Sequence, residues 1–368
     1  MAAVTLSEVA REAGVSPATA SRVLNGSTRV PGAEIAEKVK AAAVSLGYIP
    51  NAQAQALARS STGLLGLIVH DIADPYFSSI ARGVQSAARE LGKTLLLSCT
   101  EGTPDEERLA VEAFTSRRAD AIVLAGSRST NDSDIPGNAS LLREADRYLA
   151  NGGHLLLVGH PLISARRAEA GRPNAAPDSA RAARPDPANA LVLAIPNESL
   201  SRDLALALAD RGFSRFAIVA GPEGLLTSDI RVKGFQHGLE DRGLPAAEVR
   251  RSAFNRDGGF EAGHALEEAV RSAAAEGSRL CLFAVNDRMA MGVVAAMRRR
   301  GLEAPADYAI AGFDDINTLE DFVPGLTTVR LPLEEIGRSA AVAALTGEDP
   351  PPAQGEVVLR ESTAKAKH

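Results

Sequence analysis

The stretch VTLSEVAREAGVSPATASRVLN, residues 4–25, carries two short helices with clear punctuation. Thr5-Leu6-Ser7-Glu8 spells a capping box, in which the Thr5 hydroxyl accepts from the Glu8 amide and the Glu8 side chain reaches back. Leu6, Val9, Ala10 and Ala13 then recur at helical spacing up to a stop at Gly14. Ser16 and Pro17 open the second helix as N-cap and first helical residue. Two short helices separated by a Gly-led break are a helix-turn-helix arrangement. Ala20, Val23 and Leu24 form the apolar side of the second helix, and Ala18, Ser21, Arg22 and Asn25 its polar side. Such a face suits a major groove: Arg22 can read guanine O6 and N7, Ala18 can meet a thymine methyl, and Ser21 and Asn25 can hold phosphates. A solvated face on a small bundle has the same spacing, and spacing alone leaves that alternative open.

Outward from this segment, a third helix is expected after Pro31, with Ile35, Val39, Ala42 or Ala43, and Leu46 on its core side and Gly47 as its stop. Ala52–Ala58 can be helical but is too short to hold together without a partner, and it carries one large apolar residue, Leu57. The first sixty residues hold six basic side chains against four acidic ones, although the chain totals −6. That asymmetry permits nucleic-acid binding at this end without demanding it. With 368 residues, 45% hydrophobic and 23% charged, the chain has room for a small module plus a two-lobed folded core and is not a disordered polymer. No apolar run spans a bilayer, and the acidic, signal-free start argues for a cytoplasmic protein. Cys99 and Cys281 stand far apart in apolar strand-like runs and are expected to be inert buried thiols; they form no metal spacing.

VTLSEVAREAGVSPATASRVLNGSTRV, followed by EKVKAAAVSLGYIPNAQAQALA, resembles the DNA-binding headpiece and hinge of the lac repressor family over about sixty positions, nearly residue for residue. The resemblance implies a bacterial transcriptional regulator, probed at double-stranded operator DNA by Pro17, Ala18 and Arg22 on the bases. It implies Thr5, Ser16, Thr19, Ser21 and Asn25 on the backbone. Hinge residues Asn51, Gln55, Leu57 and Ala58 would lie in the minor groove, where Leu57 wedges into a base step and bends the DNA.

From Gly63 onward, LLGLIV, TLLLS, AIVLA and HLLLVG alternate with helical stretches 77–91, 104–117 and 138–149. The rhythm restarts with ALVLAI, RFAIVAG, RLCLFAV and YAIAGFD, separated by helices over 197–211, 230–241 and 287–299. Continuous apolar runs between helices predict parallel sheets covered on both faces. The expected fold is α/β: an all-α headpiece (1–50), a hinge helix and linker (51–62), then two doubly wound lobes. Lobe 1 takes about 63–160 plus 330–355, and lobe 2 about 191–328 with part of the tail. In such sheets ligands sit beyond the carboxyl ends of the strands.

The core segments HDIADPYF, SDIRVKGF, FAVNDRMAMG and AIAGFDDI resemble the family's effector-binding segments, and VPGLTTVRLP its crossover between lobes. The resemblance implies a periplasmic-binding-protein-like core whose ligand meets Asp74, Tyr76, Phe77, Arg231, Asn286 and Asp314. The family ends its fourth strand with an acid, but LLLVGHP places His160 there. With Arg231 as a second donor, an anionic or nitrogenous effector is as reasonable as a neutral sugar. The effector classes are therefore a sugar, a sugar derivative or a nitrogenous metabolite. The Ala/Arg/Pro-rich run 163–190 reads as an inserted flexible surface loop, with a partner-binding arm as the alternative. No cofactor motif, metal spacing or catalytic constellation appears, which argues against an enzyme. Without a leucine-heptad tail, a homodimer is expected in place of a tetramer. A core that senses a protein partner, or a solute-binding sensor, remains as the alternative function.

Overall fold

The computed structural model describes residues 4–25, 31–49, 61–163 and 190–364. Asn51, Gln55, Leu57 and Ala58, and residues 164–189 of the expected insertion, lie outside the described residues. The chain divides into two compact units at Gly63.

In the first unit, α1 (Leu6–Glu12), α2 (Pro17–Asn25) and α3 (Ala33–Ser45) close on one small core. Val9, Ala10, Ala20, Val39, Ala42 and Ala43 are buried in it, with Leu6, Val23, Leu24, Leu46 and Tyr48 packed around them. One expectation fails here: Ile35 is 39% exposed, and Ala36 takes the core position one residue on. The inward line of α3 thus runs through Ala36, Val39 and Ala43, a stripe of small residues that lets three short helices approach closely.

The second unit contains two parallel sheets. The first has five strands in the order β2-β1-β3-β4-β5, comprising β1 (Leu64–Val69), β2 (Thr94–Cys99), β3 (Ala121–Gly126), β4 (His154–Gly159) and β5 (Leu191–Ala194). Between them run α4 (Pro75–Glu90), α5 (Pro104–Ser116) and α6 (Ile135–Ala150). The second sheet is ordered β7-β6-β8-β9: β6 (Phe216–Ala220), β7 (Glu248–Arg251), β8 (Cys281–Ala284) and β9 (Ala309–Ala311). Its helices are α7 (Asn197–Asp210), α8 (Leu226–Glu240), α9 (Arg256–Ala275) and α10 (Asp287–Arg299). After a short antiparallel pair of β10 (Thr328–Arg330) with β11 (Glu356–Val358), interrupted by α11 (Leu333–Thr346), the described chain ends on a 3₁₀ turn. Among the described residues no helix is long and apolar enough to cross a membrane.

The uninterrupted apolar runs have a direct cause. Leu65, Leu67 and Val69 turn to one face of β1, into the cluster holding Ile80 and Val84 of α4 and Ile336 and Ala340 of α11. Ile68, Ile122, Leu124, Leu155 and Leu157 turn to the other face, against Val111, Phe114, Leu141 and Tyr148 of α5 and α6. A parallel strand covered on both sides has no polar face to show. β2 departs from this, because it is an edge strand: Leu97 is 43% exposed, and Cys99 is exposed, not buried as expected. Cys281, in the central β8, is fully buried, and burial pushes its thiol well above the ordinary value.

A second correction concerns the boundary between lobes. The run ALVLAI was expected to open lobe 2, yet β5 pairs in parallel with β4, Leu156 opposite Leu191 through Gly159 opposite Ala194. The first sheet therefore gains its fifth strand, and the chain crosses to the second lobe after it, at Ile195–Asn197. Both sheets reverse direction of growth beside their first strand, between β1 and β3 and between β6 and β8. Those switch points are where doubly wound sheets leave a crevice at their carboxyl ends.

Candidate functional site

Each unit presents a candidate site. In the first unit, the α1 cap forms as its sequence dictates: the Thr5 amide donates to Glu8 Oε2 at 2.7 Å, and the Glu8 amide to Thr5 Oγ1 at 3.4 Å. The backbone turns at Gly14, φ +66°, and the Val15 amide closes the turn on Ala10 O. Ser16 Oγ then caps α2 by accepting from the Thr19 amide at 3.1 Å. With Ala20 wholly buried, the opposite face of α2 is held outward: Ser16, Pro17, Ala18 and Arg22 are exposed, while Thr19, Ser21 and Asn25 are half-buried. Asn25 Nδ2 donates to Ser21 Oγ at 2.9 Å, one turn back. Arg22 has no ion-pair partner among the described residues. An exposed helix face that starts with small side chains at the N-terminus and carries one uncommitted guanidinium in the last turn can enter a major groove without steric obstruction.

In the second unit, a cavity of about 680 Å³ opens at the carboxyl ends of both sheets, within the size range of small-molecule sites. Asp74, Tyr76, Phe77, Arg231, Asn286 and Asp314 all line it, from segments up to 240 residues apart in sequence. Asp74 caps α4, accepting from the Tyr76 amide at 3.0 Å, and its other oxygen takes Arg288 Nη1 of the opposite lobe at 3.0 Å. Tyr76 and Phe77 meet edge to face with centroids 5.0 Å apart, giving an apolar wall. Burial, and then the nearby Asp314 carboxyl, hold the Tyr76 hydroxyl well above its ordinary value, so it stays protonated. Asn286 caps α10, its Oδ1 accepting from the Met289 amide at 2.7 Å, which leaves Nδ2 for the cavity.

Arg231 is fixed on every side. Its Nε donates to Asn197 Oδ1 at 2.8 Å, Nη1 to Val285 O at 2.7 Å and Nη2 to Asp314 Oδ1 at 2.8 Å. Its guanidinium lies 3.7 Å from the centre of the Phe313 ring. Asp314 adopts φ +114°, a backbone conformation costly for a residue with a side chain, and it does so at the cavity wall. Burial pushes its carboxyl up to about 6, against the opposing pull of Arg231. Behind it, Asp287 is wholly buried and its carboxyl is raised well above the ordinary range, first by burial and then by Asp314. Asp287 accepts from Thr328 Oγ1 at 2.7 Å and from the Ile316 amide at 3.0 Å, tying α10 to the crossover strands.

His160 is not among the cavity-lining residues. It is buried, and its Nε2 lies 3.0 Å from Thr227 Oγ1, across the junction between lobes. The same junction is laced by backbone bonds from Leu226 N to Arg128 O and from Thr130 N to Gly224 O, both 2.9 Å. The Thr227 amide also donates to Ser127 Oγ at 3.1 Å. Several lining residues carried no sequence signal that singled them out, among them His70, Glu101, Ser127, Phe254 and Arg288, and Cys99 lines the cavity where an inert buried thiol was expected. Four carboxylates (Asp71, Asp74, Glu101 and Asp314) face two guanidiniums there, and both guanidiniums are already ion-paired. Among the described residues no group of three or more His, Cys, Asp or Glu is placed to hold a metal ion.

Residues 5–51 match the family described as "Bacterial regulatory proteins, lacI family". Residues 62–142 match "Periplasmic binding proteins and sugar binding domain of LacI family", and 205–364 a periplasmic binding protein-like domain. The chain is 32% identical to an uncharacterized HTH-type transcriptional regulator in the aml 5′ region of Streptomyces limosus, over 98% of this chain and 94% of that one. It is 30% identical to the ribose operon repressor of Escherichia coli K12, over 91% of this chain and 90% of that one. Among solved structures, the lac repressor dimer bound to operator and the anti-inducer ONPF superposes with a TM-score of 0.75. That match has 23% identity over 99% of this chain and 100% of the other.

Proposed function

We propose that this chain, which belongs to the LacI family of bacterial regulatory proteins, represses transcription by binding a palindromic operator as a homodimer and responding to a small-molecule effector. It is a DNA-binding transcriptional regulator with a periplasmic-binding-protein-like core, and its work is binding, not catalysis. The observation that carries the finer reading is the face of α2, where Arg22, Ala18 and Pro17 stand exposed on a helix whose other side is locked into the headpiece core.

In this reading Arg22 reads a guanine bidentately, worth about 1–3 kcal/mol of discrimination, and Ala18 and Pro17 meet base edges. Thr5, Ser16, Thr19, Ser21 and Asn25 set the register on the phosphates. Asn51, Gln55, Leu57 and Ala58 pair with their counterparts in the minor groove, with Leu57 as the wedge. A two-fold dimer asks for two inverted half-sites. Among the described residues β2 has no strand partner on its outer side and carries the exposed Leu97, which favours cover by a second copy, since bare edges invite pairing.

The effector occupies the cavity between lobes. A neutral or cationic polar molecule, such as a sugar, a sugar derivative or a nitrogenous metabolite, suits a lining rich in carboxylates whose arginines are already paired. An anion finds no unpaired guanidinium there: Arg231 is balanced by Asp314 and gives three of its five N–H donors to Asn197, Val285 and Asp314, and Arg288 is balanced by Asp74. Such a ligand shifts operator affinity by the difference in its affinity for the two lobe arrangements. The test is fluorescence anisotropy on a selected operator during titration with candidate metabolites. A shift in affinity with at least one supports the effector reading, and invariance to all of them, with a shift on adding a cell-extract protein, replaces it with a protein-sensing core.

A further inference from the structure

We propose that His70 reads the ligand, presenting its Nδ1 as a hydrogen-bond acceptor to a ligand hydroxyl or N–H, and that Glu107 is the positioning residue that sets its tautomer. The inference rests on the cavity being the effector site. His70 follows β1 directly, at the switch point of the first sheet, and lines the cavity. Its Nε2 is shut off from solvent and lies 3.4 Å from Glu107 Oε1. That is close enough for attraction, although outside good hydrogen-bond geometry.

Glu107 sits on α5 with its side chain 3% exposed, and the same oxygen accepts from Arg128 Nη1 at 2.7 Å. Burial alone would raise the Glu107 carboxyl, but the Arg128 guanidinium foremost, and after it the His70 N–H turned toward the carboxylate, outweigh it and keep it below the ordinary range, so it is ionised. An ionised carboxylate only accepts. The nitrogen turned toward it therefore carries the proton, and in a neutral imidazole the other nitrogen is then bare. Nδ1 is the nitrogen left for the cavity.

The ring cannot easily turn away. A Cβ on Gly102 or Gly126, which flank it, would run into the imidazole, and Phe77 packs at 5.2 Å between centroids. The acceptor fits its surroundings, because Asp71, Glu101 and Asp314 also line the cavity and also accept. Together they select a ligand rich in donors. Arg128 extends the consequence: its own carbonyl accepts from the Leu226 amide of the other lobe, so the group that orients the ligand reader is anchored at the lobe junction.

Two measurements on the full-length chain decide this. The first is a long-range ¹H–¹⁵N spectrum of protein labelled in its six histidines, with His70 assigned from the peaks that H70N removes. The expected result is the Nε2–H tautomer. In the double variant E107L/R128M, which replaces the buried pair by apolar residues of similar length so that it still folds, a tautomer mixture is expected. An Nδ1–H tautomer in the unmodified protein, or no change in the double variant, overturns the proposal. The second is calorimetry with D-ribose, adenosine and D-glucosamine. For a probe that binds, H70A should weaken affinity about five- to tenfold, the effect of one hydrogen bond, while H70N, with an amide oxygen near the Nδ1 position, should hold within about twofold. Binding weakened by D314N but not by H70A overturns the role of His70 alone. Binding that neither substitution weakens places the probe elsewhere and removes the cavity reading itself. No binding by any of the three overturns the proposal, because the acceptor-rich lining would then be reading a different chemistry.

Discussion

Replacing Arg231 by methionine keeps an unbranched stem and deletes the guanidinium at the centre of the second lobe. Three donors vanish, those to Asn197, Val285 O and Asp314 at 2.7–2.8 Å, and with them the contact on the Phe313 ring. Asp314, with its side chain 8% exposed, stays behind without a counter-charge. Removing one partner of a buried pair costs about 3–5 kcal/mol. The carboxyl has one escape, which is to take up a proton. Burial already pushes it up to about 6 in spite of Arg231, and without the guanidinium it rises further. Its folded-state value then lies above the unfolded one, so the folded state binds more protons and stability falls as pH rises toward the new value, by up to about 1.4 kcal/mol per unit. The loss in R231M should therefore be larger at pH 8 than at pH 5. Urea unfolding followed by far-UV circular dichroism measures it, since the chain has no tryptophan to report. Adding D314N removes the stranded charge and should recover at least half of the pH 8 loss. A loss below about 1 kcal/mol would refute the reasoning, as would an equal loss at both pH values.

Other substitutions probe other parts. L57A should weaken operator binding and reduce the DNA bend read by circular-permutation electrophoresis; an unchanged bend removes the wedge. T5A removes the hydroxyl arm of the α1 cap, leaving the bond from the residue-5 backbone amide to Glu8, and should cost the headpiece about 1 kcal/mol, seen as faster amide exchange over Leu6–Glu12. Unchanged exchange there would mean the cap holds nothing. Glu107 has its folded-state value held below the ordinary 4.5, so its contribution is present above that pH and is lost as pH falls through the lower folded value. E107Q should flatten the acid limb of the unfolding profile, and an unaltered limb contradicts the assignment.

What the sequence disclosed well is what local chemistry decides. Thr5 with Glu8, Ser16 with Pro17, and Gly14 each act within one turn of the chain, so their roles were legible without knowing the neighbours. Asp74 and Asn286 came from the family resemblance of their segments, and the structure adds that each caps the helix after a strand. Features decided by distant partners were hidden. ALVLAI reads alike in either lobe, and only its pairing with β4 assigns it to the first. EVRR carries too much charge to look like a strand, yet β7 forms at an edge, where charge is tolerated. The 20-residue α9 was missed because glycine and alanine, not large apolar residues, face its neighbour: an added Cβ at Gly259 or Gly263 would meet the backbone of α10. His160 carried the right position in the chain but bonds to Thr227, while His70 gained its role from Glu107, 37 residues away, and from two flanking glycines.

Recognition by the outer face of α2 is the central claim, and one measurement reaches it most directly. Selection from a random DNA pool, run in parallel with the unmodified chain and with R22A, should yield a two-fold symmetric site. R22A should lose preference at one base pair in each half, by about 1–3 kcal/mol, with the remaining positions kept. A site without two-fold symmetry, or a uniform loss of affinity on all sequences, would contradict it.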